Sequence, residues 1–170
     1  MFEFPEQLKA LIYPVPTSVL TMSDEKPQTM EFDANISWDG GKDGTITVED
    51  KQPILISSPA HWGGNPAVYS PHDLFVSAIA GCYITTFATM MQRMKQPLKA
   101  HNVSGRGILA KHPEGGWDFT DIYVTMEITI PKDANLSQVK RAVELTEKYC
   151  HISRSVKCKM HVEPKIIQLD

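Results

Sequence analysis

The chain has 170 residues, of which 42% are apolar and 22% are charged, and its formal net charge is −3. This length suffices for one domain with a substantial core, and the balance of apolar and charged residues is typical of a folded globular protein rather than a disordered one. The slight negative charge and the lack of a long basic run exclude the electrostatic surface of a nucleic-acid-binding protein.

Hydrophobic periodicity and turn residues predict an α+β fold with antiparallel sheets around a long central helix. Residues 1–28 form the predicted N-terminal arm, a short helix and a proline-rich linker, and residues 29–170 form the predicted domain. The predicted elements of the domain are strands at 31–38, 44–48 and 53–57, the central helix from 71, strands at 103–109 and 119–130, a second helix at 137–150, and a closing strand at 156–162 that can extend to 166–169.

The central helix has a strong start signal. Ser70 suits the N-cap, Pro71 the first helical position and Asp73 the capping box, while Pro97 ends the helix. Residues 74–92 contain no charged side chain, a length at which a membrane span must be considered. Serine, glycine and threonine dilute this stretch and no second one exists, so we interpret it as the core helix of a compact domain.

The cysteine pattern and the N-terminus bear on compartment and cofactors. The three cysteines, at positions 82, 150 and 158, do not resemble a secreted disulfide framework, and no zinc-ligand spacing joins them to the six histidines. The acidic N-terminus lacks a signal-peptide pattern, so we expect a cytoplasmic protein.

Cys82 and Cys150 lie on the apolar faces of the two predicted helices. Such a thiol is either an inert small hydrophobe or a protected redox nucleophile, and spacing alone leaves both alternatives open. Cys150 ends its helix, where the dipole disfavours a thiolate, so Cys82 is the better nucleophile and Cys150 the better resolving thiol. Cys158 is expected on the more polar face of the closing strand, in a structural role.

His72 is a candidate partner of Cys82, from which it is separated by about 80° around the helix and about 15 Å along it. It therefore cannot reach Cys82 of its own chain. Cooperation between His72 and Cys82 would require a second subunit whose central helix runs antiparallel to the first. Alternatively, His72 is a solvent-exposed residue of the first helical turn without a role in the site.

The run Ser-Pro-His-Asp-Leu-Phe-Val-Ser-Ala-Ile-Ala-Gly-Cys, residues 70–82, resembles the central-helix signature of the OsmC/Ohr family, the osmotically inducible and organic hydroperoxide resistance proteins. The run Glu-Lys-Tyr-Cys-His-Ile-Ser, residues 147–153, resembles the family's second cysteine motif, usually Cys-Pro-hydrophobic-Ser. The hairpin at 40–44 and the loop at 62–64 also fit, and the similarity covers about residues 30–162.

The resemblance implies an intertwined α+β homodimer with two active sites at the subunit interface, and a thiol peroxidase acting on organic and sometimes inorganic hydroperoxides. The thiolate matching Cys82 becomes a sulfenic acid, and the cysteine matching Cys150 condenses with it to a disulfide that a dithiol donor reduces. Neither a metal nor an organic cofactor is implied.

The chain departs from the family at three positions. Lys42 and His72 stand where the family has an arginine that holds the thiolate and a glutamate that orients the arginine. A lysine lacks the planar fork of arginine, and Lys42 and His72 cannot form a carboxylate–cation pair. Arg106 and Arg154 are the other candidate cations, and His151, in place of the usual proline, is interpreted as loop variation.

Three alternatives to a peroxidase follow from these departures. The protein could keep the fold and bind small apolar molecules, or act as a redox sensor whose disulfide alters a partner surface. A cysteine-dependent hydrolase using Cys82 and His72 is the third.

Overall fold

Two three-stranded sheets and three helices make up residues 29–169 of this computed structural model, which are the residues that the structure describes. The predicted arm, residues 1–28, lies outside them, and from Ala34 onward the described residues form one compact unit. The elements are β1 Asn35–Gly40, β2 Asp43–Thr47, β3 Ile54–Ser57, a single 3-10 turn Ala60–Trp62, α1 Pro71–Arg93, β4 Ala100–Lys111, β5 Trp117–Ile130, α2 Leu136–Tyr149, α3 His151–Arg154 and β6 Lys159–Gln168.

The α+β class, with two sheets and a long central helix, is confirmed. Pairing is antiparallel in the sheet β1-β2-β3 and between β4 and β5, but β6 runs parallel to β5, where antiparallel pairing was predicted. The reason is the connection: α2 and α3 return the chain from the end of β5 to its beginning, so that β6 sets out in the same direction. The closing strand is also continuous through Pro164, which pairs with Met126.

α1 begins as predicted. The Ser70 Oγ accepts a hydrogen bond from the Asp73 N–H at 3.2 Å, and the Asp73 carboxylate accepts one from the Ser70 N–H at 2.8 Å. By length and composition α1 is the one described helix that could cross a membrane. Its Ile79, Tyr83 and Phe87 are nevertheless buried in the core, which confirms α1 as the central helix of the domain.

The core lies between α1, α2 and one face of the second sheet. Every second residue of β5 from Ile122 to Ile130 is buried, as is the stripe of α2 that leads to Cys150. The fully buried side chains of β5, of α2 and of the residue that caps the C-terminal end of α2 are Ile122, Val124, Met126, Ile128, Ile130, Val139, Ala142, Thr146 and Cys150. Alternation in β5 therefore places Tyr123, Thr125 and Glu127 on the opposite, outer face of the sheet.

Glycines in β4 allow α1 to approach the sheet closely. A Cβ at Gly105 would lie 2.9 Å from Val76 Cγ1, and one at Gly107 would lie 2.6 Å from the Phe119 ring. Such distances are below van der Waals contact, so any larger residue at either position would have to displace its neighbour. The close approach brings Gly105 and Gly107 next to the first turns of α1, where they line a cavity described below.

The first sheet leaves one apolar face open. Register places Ile36, Trp38, Ile46, Ile54 and Ile56 on the same face, and Trp38 is 78% exposed. Among the described elements, β1, β2 and β3 pack mainly on one another. Apolar surface of this kind is typical of an interface.

Candidate functional site

Two cavities lie beside the predicted site residues: Cys82 lines one of them and His72 lines the other. The first, here called the thiol cavity, has a volume of about 610 Å³ and lies between α1 and the junction of α2 with α3. It is lined by Cys82, Thr85, Thr86, Thr89, Met90, Arg93, Met94, Leu145, Tyr149 and His151.

Cys82 lies half-buried on the wall of the thiol cavity, with its Sγ 3.7 Å from Thr86 Oγ1. Burial raises the pKa of its thiol, but hydrogen bonding to the Cys150 thiol, the Ile152 N–H, the Thr86 hydroxyl and the His151 N–H outweighs burial and lowers this pKa overall. Groups that donate to a sulfur anion stabilise it, so Cys82 has the environment of a nucleophilic thiolate.

Cys150 is fully buried at the C-terminal end of α2, where its N–H donates to the Thr146 carbonyl at 2.9 Å. Burial, followed by its hydrogen bond to Cys82, raises the pKa of the Cys150 thiol. A thiol that stays protonated beside a stabilised thiolate can donate to it. The structure thus brings Cys82 and Cys150 together, and the catalytic roles of the two stay predictions.

Two buried polar side chains, Tyr83 and Ser153, lie next to the thiols. Tyr83 is 1% exposed, and burial raises the pKa of its phenol to about 12. Ser153, which follows Cys150 by three residues, donates its hydroxyl to the Cys150 carbonyl at 3.2 Å. Its position in the Cys-His-Ile-Ser run was the signal that could have marked it from sequence as part of the site.

The second cavity, here called the His72 cavity, has a volume of about 570 Å³. It is lined by Ser58, Pro59, Ala60, His61, Asn65, Pro66, Val68, Ser70, His72, Asp73, Val76, Ser77, Gly105, Gly107, Leu109 and Phe119. The His72 ring lies 5.2 Å from the Trp62 ring and 5.8 Å from the Phe119 ring. Its buried Nδ1 has no hydrogen-bond partner among the described residues.

Lys42 joins His72 at this end of the molecule, because its Nζ donates to the main-chain carbonyl of Trp62. Neither Lys42 nor His72 lines the thiol cavity. Within one chain the four predicted site residues therefore fall into two pairs: Cys82 with Cys150, and Lys42 with His72.

The predicted cations need a correction. Arg106 does not line the thiol cavity; its guanidinium lies 4.5 Å above the Tyr123 ring, on the outer face of the second sheet, because the flanking Gly105 and Gly107 face α1. Arg154 ends α3 and does not line the thiol cavity either. The cation that does is Arg93, which sequence reasoning missed.

Arg93 follows Cys82 by eleven residues, an angle of about 20° around a helix, and this spacing was the available signal. His151 was also underestimated as loop variation, since it lines the thiol cavity.

Cys158 differs from the expectation as well. It lies just before β6 and packs against the hydrophobic core rather than on a polar strand face. Burial raises the pKa of its thiol, which favours an unreactive side chain.

Within residues 29–169 no cluster of three or more potential ligands for a metal ion occurs.

Comparison with known proteins gives consistent matches. The sequence pattern of the family of OsmC-like proteins matches residues 64–165. The uncharacterized protein YmaD of Bacillus subtilis (strain 168) is 27% identical over 129 residues, which are 74% of this chain and 85% of YmaD.

Two solved structures illustrate the shared fold. An OsmC-like protein of unknown function from Vibrio cholerae superposes with a TM-score of 0.72 at 20% identity, covering 82% of this chain and all of that chain. An organic hydroperoxide resistance protein from Legionella pneumophila superposes with a TM-score of 0.65 at 18% identity, covering 83% of this chain and 98% of that chain.

Proposed function

Because the chain belongs to the family of OsmC-like proteins, we propose that it is a thiol-dependent peroxidase that reduces organic hydroperoxides through Cys82 and Cys150. One observation carries the proposal: Cys82, with a lowered pKa, lies on the wall of an open cavity and has the buried, protonated Cys150 at its side. Solved relatives named organic hydroperoxide resistance proteins support the substrate class.

The reaction has three steps. The Cys82 thiolate attacks the distal peroxide oxygen, the O–O bond breaks, and the alkoxide that leaves takes up a proton to become an alcohol. Cys150 then attacks the sulfur of the Cys82 sulfenic acid, releasing water and forming a disulfide. An external dithiol returns both cysteines to thiols by exchange.

The lining of the thiol cavity suits an alkyl group. Met90, Met94 and Leu145 give it apolar walls. The hydroxyls of Thr85 and Thr89 donate to carbonyls of α1 itself, to Gly81 at 3.1 Å and to Thr85 at 2.8 Å. Their methyl groups are therefore free to contact an apolar substrate.

A homodimer is part of the proposal. The open apolar face of the first sheet, with Trp38 and Ile36 exposed, favours coverage by a second copy of the chain. Because His72 lies about 15 Å from Cys82 along α1, only an antiparallel α1 of a second copy can bring Lys42 and His72 to the thiols. A stable 19 kDa species in sedimentation at micromolar concentration would overturn the dimer.

The decisive experiment is peroxide consumption in the presence of a dithiol. We expect turnover by the wild-type protein and none by Cys82→Ser. Given peroxide without the dithiol, Cys150→Ser completes one turnover and stops at a trappable sulfenic acid. Cys158→Ser is the matched control, which keeps full activity. Equal consumption by wild type and Cys82→Ser, or a main disulfide that contains Cys158, would refute the assignment.

A further inference from the structure

The second cysteine motif of this chain, Cys-His-Ile-Ser, has His151 at the position where the usual motif, Cys-Pro-hydrophobic-Ser, has a proline. A proline has no main-chain N–H and no ionisable side chain. Here the N–H of residue 151 approaches the Cys82 sulfur, and the residue lines the thiol cavity. The position next to the reactive sulfur therefore gains two groups that proline cannot supply.

We propose that the imidazole of His151 is the general acid that protonates the oxygen leaving from Cys82 when the peroxide bond breaks. The inference rests on the proposed peroxidase function. Its geometric basis is the placement of His151 directly after Cys150, at the start of α3, in the cavity that Cys82 opens into.

The other side chains that the same chain contributes to the thiol cavity are poor proton donors. Arg93 and Tyr149 carry a guanidinium and a phenol, two kinds of side chain that serve as general acids near neutral pH far less often than an imidazole. The hydroxyl protons of Thr85 and Thr89 are already engaged with carbonyls of α1. Histidine is the side chain that most often transfers a proton near neutrality.

The protons balance around this step. The Cys82 thiol first loses its proton, and His151 takes one up as an imidazolium. Attack on the distal oxygen forms the S–O bond and breaks the O–O bond, and the alkoxide takes the imidazolium proton. The products are the Cys82 sulfenic acid, a neutral alcohol and a neutral His151. Condensation with the Cys150 thiol then releases water and needs no further proton.

The leaving group provides the test. The oxidation rate of Cys82 is measured in a single turnover with tert-butyl hydroperoxide, which releases a strongly basic alkoxide, and with peracetic acid, which releases acetate and needs no proton. His151→Gln keeps the main-chain N–H but removes the acid. We expect it to slow oxidation by tert-butyl hydroperoxide about 100-fold or more, and oxidation by peracetic acid less than about two-fold.

A second variant and a control separate the two donors of residue 151. His151→Pro also removes the N–H that approaches the Cys82 sulfur, so we expect it to slow oxidation by both peroxides. His112→Gln, in the turn between β4 and β5, is the control and keeps both rates. His151→Asn replaces His151→Gln should the latter not fold, as judged by circular dichroism.

Equal slowing of both peroxides by His151→Gln, or no slowing of either, would overturn the inference. Failure of the wild-type protein to reduce either peroxide with a dithiol would instead refute the proposed peroxidase. Active wild type, inactive Cys82→Ser and unaffected His151→Gln would leave the peroxidase intact and refute the role of His151 alone.

Discussion

Replacing Gly107 with alanine tests how tightly α1 packs on the second sheet. The added Cβ would lie 2.6 Å from Phe119 Cε1 and 3.0 Å from Val76 Cγ2, so the ring must retreat by about 1 Å to reach ordinary contact. The ring is held in place, because it stacks on Phe75 at 4.8 Å and packs on His72 at 5.8 Å.

The expected cost follows from these contacts. Overpacking of this kind destabilises by about 1–3 kcal/mol, and the loss of glycine flexibility from the unfolded chain offsets about 0.5–1 kcal/mol. We therefore expect Gly107→Ala to lower the free energy of unfolding by about 1–2 kcal/mol, equivalent to a drop in Tm of about 2–8 °C.

Urea denaturation and thermal denaturation measure this effect. Gly105→Ala is the matched comparison and should cost less, because its new Cβ would make only one contact below 3.0 Å, with Val76 Cγ1 at 2.9 Å, while the Val76 carbonyl oxygen at 3.4 Å and Ala80 Cβ at 3.5 Å lie at ordinary distances. Adding Phe119→Leu to Gly107→Ala should recover part of the loss, with a favourable coupling in the double-mutant cycle. Unchanged stability of Gly107→Ala, or strict additivity with Phe119→Leu, would refute the packing argument.

Two further predictions concern protons. Thr86→Val removes the hydroxyl 3.7 Å from Cys82 Sγ, so the pKa of Cys82 should rise, as measured by thiolate absorbance; an unchanged pKa would contradict the role of Thr86. Burial against Phe87 lowers the pKa of His101 from 6.5, so the unfolded chain binds the proton more readily and stability should fall as the pH drops below about 6.5. His101→Phe should weaken this fall in urea denaturation at pH 5.5 and 7.5, and an equal fall in both proteins would contradict it.

Local signals predicted the elements of the fold better than their pairing. The start of α1 was predictable because Ser70, Pro71 and Asp73 each satisfy a requirement of the first helical turn. The direction of β6 was not predictable. Alternation of apolar residues identifies which face of a strand is buried, but it does not say which strand lies beside it or in which direction that strand runs. α3 has four residues, too few for a helical period to be seen.

The helical faces of the two thiols were predictable for a similar reason. Periodicity placed Cys82 and Cys150 on the core-facing stripes of two helices, and these helices pack on each other in the structure. That the two thiols lie side by side was implied by the family resemblance rather than by periodicity. Which other side chains lie around the thiols could not be predicted from periodicity, because it depends on the tertiary structure. His151 reaches the thiol cavity only because a new helix starts there, and the glycines on either side of Arg106 face α1, which turns Arg106 outward.

The three tryptophans offer a direct optical readout of one part of this molecule. Trp62 lies between His61 at 4.4 Å and His72 at 5.2 Å, and Trp117 packs on its edge at 6.1 Å. The third, Trp38, is exposed on the first sheet, and no tryptophan lines the thiol cavity. Indole emission depends on the groups next to the ring, so the fluorescence of an isolated chain would report on the surroundings of Trp62 rather than directly on Cys82. A change in emission upon oxidation would mean that the surroundings of the indoles change, either by a rearrangement within the chain or because the sulfurs of a second chain lie close to them.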